Sequence, residues 1–261
     1  MNSHFYVVLP CDSSHSYFGN NTVAEFTTKL PQPITLDGSY EVALVELIYT
    51  HSFYNVKNSS GSSFLEIKKT DDSPAIKIYA ESGHYADEKD FALKLSEKIN
   101  AVIHSVPDLV GNNITFTFNE RRRRLALQLH CINNLSMYMS EPMTSKFGFV
   151  KAGPYINGGF NAKNIFNMRA GQRLMYVYCD VASYIPVGET KSPLLRICNV
   201  SGKFGDTIHH TFSRPFYVPV SRNNFDTILI NIRDELGQPM PFEFGKSAVP
   251  LNFRPMNNFA P

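Results

Sequence analysis

The sequence predicts an all-β protein, an antiparallel sandwich or jelly-roll with one inserted amphipathic helix, and three observations lead there. First, short runs alternate apolar and polar residues. In Asn113–His130 (NITFTFNERRRRLALQLH), Ile114, Phe116 and Phe118 alternate with Thr115 and Thr117, and Leu125, Leu127 and Leu129 with Ala126 and Gln128. A period of two sends each apolar triplet to one face of a sheet. Second, 16 Pro and 15 Gly lie scattered among about a dozen such runs, which suits short strands joined by turns. Third, strands and helices do not alternate along the chain, which argues against a parallel α/β sheet. The 13 Tyr and 20 Phe supply β-prone core material.

The elements follow in order. His4 to Leu9 is apolar and β-prone, and Pro10 closes it. Val23 to Leu30 is a second strand, broken by Pro31 and Pro33, and Leu36-Asp37-Gly38-Ser39 makes the turn after it. Tyr40 to Tyr49 is a long strand apolar on both faces, hence central and buried on both sides. Asn58 to Ser63 is a loop, and Phe64–Lys68 with Ala75–Ala80 forms a hairpin around Asp71-Asp72-Ser73-Pro74.

One segment breaks the β rhythm. Residues 87–103 place Phe91, Leu95, Ile99 and Val102 at helical spacing with Lys and Glu opposite. Asp87 or a neighbour caps this helix, and Glu88 and Asp90 suit the positive end of its dipole. Its expected job is to cover an open end or face of the barrel. A shorter helical turn is expected around Glu141 to Phe147, and Gly148 to Gly171 is a Gly- and Asn-rich excursion. Strands resume at Leu174–Val181, Leu194–Val200, Arg214–Val220 and Thr227–Arg233. A turn at Gly237-Gln238-Pro239 leads to short strands at Pro241–Phe244 and Val249–Phe253, then a loose end.

At 261 residues the chain accommodates one large all-β domain or two small ones. Its net charge of +2 is too small for bulk nucleic-acid binding, so any basic function is local. The local feature is the turn Arg121, Arg122, Arg123 and Arg124. One reading is a solvated hairpin tip whose charges protect an edge from unwanted pairing. The other is contact with an acidic partner or, as an accessory, a nucleic-acid backbone, since guanidinium groups bind carboxylate and phosphate bidentately. Cys11, Cys131, Cys179 and Cys198 form no CxxC pair and follow no secretory leader, so reduced structural thiols and an intracellular folding compartment are expected. The sequons at Asn20, Asn58, Asn113, Asn134 and Asn199 then read as chance matches. The longest apolar run, Leu174 to Cys179, is far below the ~18 residues of a membrane span.

No motif calls for chemistry. Gly245-Lys246-Ser247 resembles the end of a phosphate-binding loop, but the glycine the motif needs five residues earlier is Met240. His209 and His210 are adjacent on a strand and point to opposite faces, so they do not share an ion. His51, His84 and His130 are isolated, Ser13-Ser14-His15 lacks a nucleophile elbow, and Asp71-Asp72 and Asp234-Glu235 sit in turns where solvated carboxylates are expected. The expectation is no catalytic residue, no metal and no cofactor.

The opening HFYVVLPCDSSHSYFGNNTVAEFTTKLPQPITLDGSYEVALVELIYTHSFYNV resembles the N-terminal signature of the minor capsid, or penton, proteins of Maverick/Polinton elements and adintoviruses. The helix ending in Lys98-Ile99-Asn100, preceded by Gly83-His84-Tyr85, is similar to that family's middle section, and Phe225 to Phe253 to its C-terminal course. The likeness spans nearly the whole chain. It implies a single jelly-roll over residues 1–261, with a helical insertion near 87–103 and a loose tail near 254–261. It further implies a non-enzymatic structural protein of the virion, a homopentamer at five-fold vertices beside a double jelly-roll major capsid protein. Five copies closing a ring need a heterologous interface, for which 148–171 and the tail PMNNFAP are the candidate contacts. The alternative is a jelly-roll module that binds carbohydrate or a receptor, favoured if exposed aromatics cluster at one end. A cupin-like enzyme needs convergent histidines and a carboxylate, which the pattern does not offer.

Overall fold

The computed structural model describes residues 4–56, 63–69, 74–132, 135–168 and 172–256. In chain order the strands are β1 (Phe5–Pro10), β2 (Glu25–Thr35), β3 (Tyr40–Leu44), β4 (Glu46–Thr50), β5 (Phe64–Lys69) and β6 (Ile76–Tyr79). Helix α1 (Glu88–Ser105) precedes β7 (Asn113–Asn119), β8 (Arg124–His130) and β9 (Leu135–Met139), and α2 (Glu141–Lys146) precedes β10 (Gly158–Asn161). Then come β11 (Leu174–Cys179), β12 (Ile185–Val187), β13 (Thr190–Ser192), β14 (Leu194–Asn199), β15 (Thr207–Thr211), β16 (Val218–Pro219), β17 (Asn224–Arg233) and β18 (Ser247–Pro255). The chain divides into two compact units, residues 1–53 with 171–261, and residues 54–170.

The first unit is a sandwich of two antiparallel sheets. In one, β1 lies beside β18, β18 beside β3 and β4, and these beside β16 and β15. β3 and β4 are one strand interrupted at Val45, whose N–H still reaches Pro250 O at 3.2 Å. In the other sheet the order is β14, β11, β17, β2. Counting β3/β4 and β15/β16 as single strands and setting aside the separate β12–β13 hairpin, the first sheet holds the first, eighth, third and sixth strands and the second sheet the second, seventh, fourth and fifth. That order is a jelly-roll. Phe26, Val42, Leu44, Val177, Ile230 and Leu251 of both sheets share one core, and Phe253 stacks between Phe5 (5.0 Å) and Phe225 (5.9 Å).

The second unit enters the chain between β4 and β11 and has its own core. α1 buries Phe91, Leu95 and Ile99, as its periodicity predicts, and closes the stripe with Ile103 rather than Val102, which is only half-buried. Asp87 caps it, its side chain accepting from the N–H groups of Lys89 (2.9 Å) and Asp90 (2.8 Å). The helix packs on β7, which pairs with β8, and β8 with β10. A second sheet runs β6, β5, β9. Phe91, Phe147 and Phe166 meet with ring centres 5.4 to 5.5 Å apart.

The helix packs within this second core. Several expectations need correcting. The strand expected at 214–220 shrinks to β16, and the neighbouring strand is β15, whose alternation of half-buried and exposed residues carries no apolar signal. Pro241–Phe244 is not a strand; Phe242 makes an isolated bridge to Phe53. The loose end does not begin at 254, because β18 continues through Pro255. The turn 71–73, most of the 58–63 loop and the last five residues lie outside the described residues.

Candidate functional site

The arginine turn closes the β7–β8 hairpin, with Asn119 opposite Arg124. Asn119 Oδ1 accepts from the Arg122 N–H at 3.0 Å, and Arg123 takes the left-handed conformation, φ 50°. Two crossed ion pairs tie this turn to the first turn of α1: Arg123 Nη2 to Glu88 Oε1 at 3.0 Å, and Lys89 Nζ to Glu120 Oε1 at 2.8 Å. The hydrogen bond from Lys89 to Glu120 holds the ammonium pKa above its ordinary value. Arg123 O also accepts from the Phe166 N–H at 2.9 Å. The run therefore splits. Arg123 fixes the tip, while Arg121, Arg122 and Arg124 are exposed and, among the described residues, make no ion pair. Three guanidinium groups on a fixed tip are a donor surface for carboxylates or phosphates.

The strand edges decide where else a neighbour can attach, because an open edge is a template for further pairing. Three edges, those of β2, β7 and β9, are closed by the chain itself. On β2, Thr22 Oγ1 accepts from the Glu25 N–H (3.0 Å), Asn21 both accepts from and donates to Thr27 (2.9 Å each), and Ser14 Oγ accepts from the Lys29 N–H (3.0 Å). Pro31 and Pro33 follow without N–H groups. On β7, Asn100 holds Ile114, and Ser96 Oγ accepts from the Phe116 N–H at 2.8 Å. On β9, Met137 exchanges both backbone bonds with Tyr155 at 2.9 and 2.8 Å. By contrast, among the described residues β1 pairs only with β18, and its Tyr6 and Val8 are 68% and 59% exposed. β15 likewise pairs only with β4. Sequence reading missed the capping residues; their signal was a polar pair, Ser96 and Asn100, four residues apart beside an apolar helical stripe.

The remaining motifs are structural. His209 faces Glu46 at 3.0 Å while His210 stacks on Tyr49 (5.9 Å) and Phe212 (6.2 Å), so the two do leave the strand on opposite sides. Burial, reinforced by the neighbouring His209, holds the His210 pKa below its ordinary value. Among the described residues no three His, Cys, Asp or Glu side chains gather as metal ligands would. Lys246 of the Gly-Lys-Ser segment pairs with Asp12, and Ser247 opens β18. Asp234 is not solvated as expected: it is buried and accepts from the N–H groups of Leu236 and Gln238, both 2.9 Å, holding the turn. All four cysteines are free thiols; burial pushes Cys179 up to about 12 and Cys198 to about 11.

No protein-family model matches the chain, and no curated protein matches it. Among solved structures it is similar to the mavirus penton protein, with a TM-score of 0.52 at 10% identity, covering 97% of this chain and 99% of that one. The flagellar cap protein from Escherichia coli also aligns, with 12% identity over 89% of this chain and 57% of that one, but its TM-score of 0.24 carries no argument. At 10% identity the likeness to the penton protein is one of fold.

Proposed function

We propose that this chain is a structural capsid subunit of the penton type, akin to the minor capsid proteins of Maverick/Polinton elements and adintoviruses. The observation that carries this reading is the eight-strand jelly-roll order together with a fold likeness to the mavirus penton protein that runs the length of both chains. In this reading residues 1–261 act as one subunit, with 54–170 as an insertion into the jelly-roll. Five copies close a ring at a vertex beside a double jelly-roll major capsid protein, and the protein, made inside the cell, resides in the virion. The chain is non-enzymatic and needs no cofactor.

The open edges of β1 and β15 are where neighbouring copies would engage, since the other edges described above are already saturated. Arg121, Arg122 and Arg124 would meet acidic groups of a partner subunit, with nucleic acid at most an accessory contact. Native mass spectrometry and sedimentation of the full chain, alone and with its major capsid protein, test this. A closed five-membered species is expected; a chain that stays monomeric in both settings overturns the reading.

A further inference from the structure

We infer that the outer face of the second sheet carries a binding site for a pyranose sugar. The site lies within the first unit, and the inference stands apart from the capsid reading. Solvent faces of antiparallel sheets are normally polar, yet here Tyr176 and Tyr178 of β11 sit half-buried on the outer side of the sheet. A cleft of about 430 Å³ opens there, within the range of small-ligand sites. Tyr178 and Asn231, cross-strand partners on β11 and β17, line it together with Arg233, and so do Tyr184 and Asp180. The Tyr184 ring is 66% exposed, an aromatic surface with no burial to justify it.

Asn231 supplies the second observation. Its Oδ1 is buried and, among the described residues, has no donor. An acceptor left unpaired costs roughly 1–3 kcal/mol, a cost that a ligand donor would remove. The groups around it are held in place. Asp180 Oδ1 accepts from the Leu229 N–H at 2.8 Å and its Oδ2 pairs with Arg222 at 2.5 Å, while Arg233 Nη1 donates to Gly237 O at 2.7 Å. Burial pushes the Tyr178 phenol up, so its hydroxyl stays protonated.

The ligand that matches must combine an apolar face with several groups that both donate and accept. A pyranose has both: its C–H face packs on an aromatic ring, and its hydroxyls donate to Asn231 and accept from Arg233. Asp180 is already engaged by Arg222 and by the Leu229 N–H, which leaves Asn231 and Arg233 as the polar groups that meet the sugar hydroxyls. Sequence reading gave no hint of the site, because Asn231 and Arg233 come beside the β11 tyrosines only through the pairing of β17 with β11.

The test is saturation-transfer NMR and calorimetry on the full chain with the methyl pyranosides of glucose, galactose, mannose, fucose and N-acetylglucosamine. At least one is expected to bind, with Tyr184→Ala and Asn231→Leu each weakening it about tenfold or more, and Asn231→Asp, which keeps the acceptor, weakening it less. Tyr184→Ala, at an exposed position, leaves the melting temperature unchanged and so reports the site rather than the fold. No binding by any of the sugars at tens of millimolar overturns the inference, as does binding that Tyr184→Ala leaves intact. A Tyr184→Ala chain whose oligomeric state changes also overturns it, because a second copy would then be the occupant. Failure here leaves the five-membered assembly measurable by itself.

Discussion

Asn100 on α1 holds Ile114 of β7 by both of its backbone groups: Nδ2 donates to Ile114 O, and the Ile114 N–H donates to Oδ1, each at 2.9 Å. One helical turn earlier, Ser96 does the same work at Phe116, its Oγ accepting from the N–H at 2.8 Å. Four helical residues rise about 6 Å and two strand residues about 6.8 Å, so the two repeats nearly match. The helix thereby takes the place of a neighbouring strand.

Asn100→Leu is expected to remove about 1–3 kcal/mol of stability, since it strands a backbone donor and acceptor at a covered edge. Denaturant titration of the purified chain measures it. An unchanged midpoint would mean that water replaces the amide without cost.

The C-terminal boundary gives a sharper contrast. Phe253 is fully buried, packed against Phe5 and Phe225, whereas Met256 is exposed and its N–H reaches Ser39 O at 2.9 Å. Truncation after Met256 should leave the melting temperature nearly unchanged. Phe253→Ala should cost about 3–5 kcal/mol, and removal from Phe253 onward should abolish folding. The truncation after Met256 is therefore the one that tests the tail as an assembly contact.

Thiol chemistry follows from burial. Cys11, Cys179 and Cys198 are buried, and Cys179, at about 12, and Cys198, at about 11, carry almost no thiolate at pH 8. Cys131 is partly exposed, and desolvation raises its pKa as well. A thiol reagent should label Cys131 slowly in the native chain and all four residues after denaturation. Rapid native labelling of Cys179 would contradict the packing of β11.

Acid sensitivity should include a histidine step. With the His210 pKa held below 6.5, the unfolded chain binds a proton in that window that the folded chain does not. Stability therefore falls as pH drops from 6.5 to the lowered value, and the loss levels off below it. His210→Gln should flatten that step in a pH series of melting temperatures. Asp12 and Asp226, lowered by hydrogen bonds from Lys246 and Lys29, add their own loss further down, as pH falls through their depressed values.

The displayed arginines should be dispensable for folding. Replacing Arg121, Arg122 and Arg124 by Gln should leave the melting temperature unchanged, since exposed cations without ion pairs contribute little. The same variant should lose association with an acidic partner in a binding assay. A large loss of stability would show the whole tip to be structural.

Local signals were legible wherever one segment carries its own periodicity. α1 could be read from the spacing of Phe91, Leu95 and Ile99 and from the Asp87 cap, and the β7–β8 hairpin from its two apolar triplets. β9 and β15 escaped. β9, LSMYM, is nearly all buried and so does not alternate, and β15, TIHHT, is an edge strand with little apolar content to alternate. The arginine turn was visible as a run, but its split into one fixing and three displayed residues depends on Glu88, which is 35 residues away.

The amino-acid sequence by itself determined that this chain is β-rich, where its one long helix starts, and that its arginines sit at a hairpin tip. Each of these rests on contacts within a few residues along the chain. Tertiary structure decided the jelly-roll order, the separate core of residues 54–170, which strand edges stay open and the cleft beside Asn231. Those depend on pairing between distant strands, and pairing partners are selected by the packing of whole sheets, which no local pattern records.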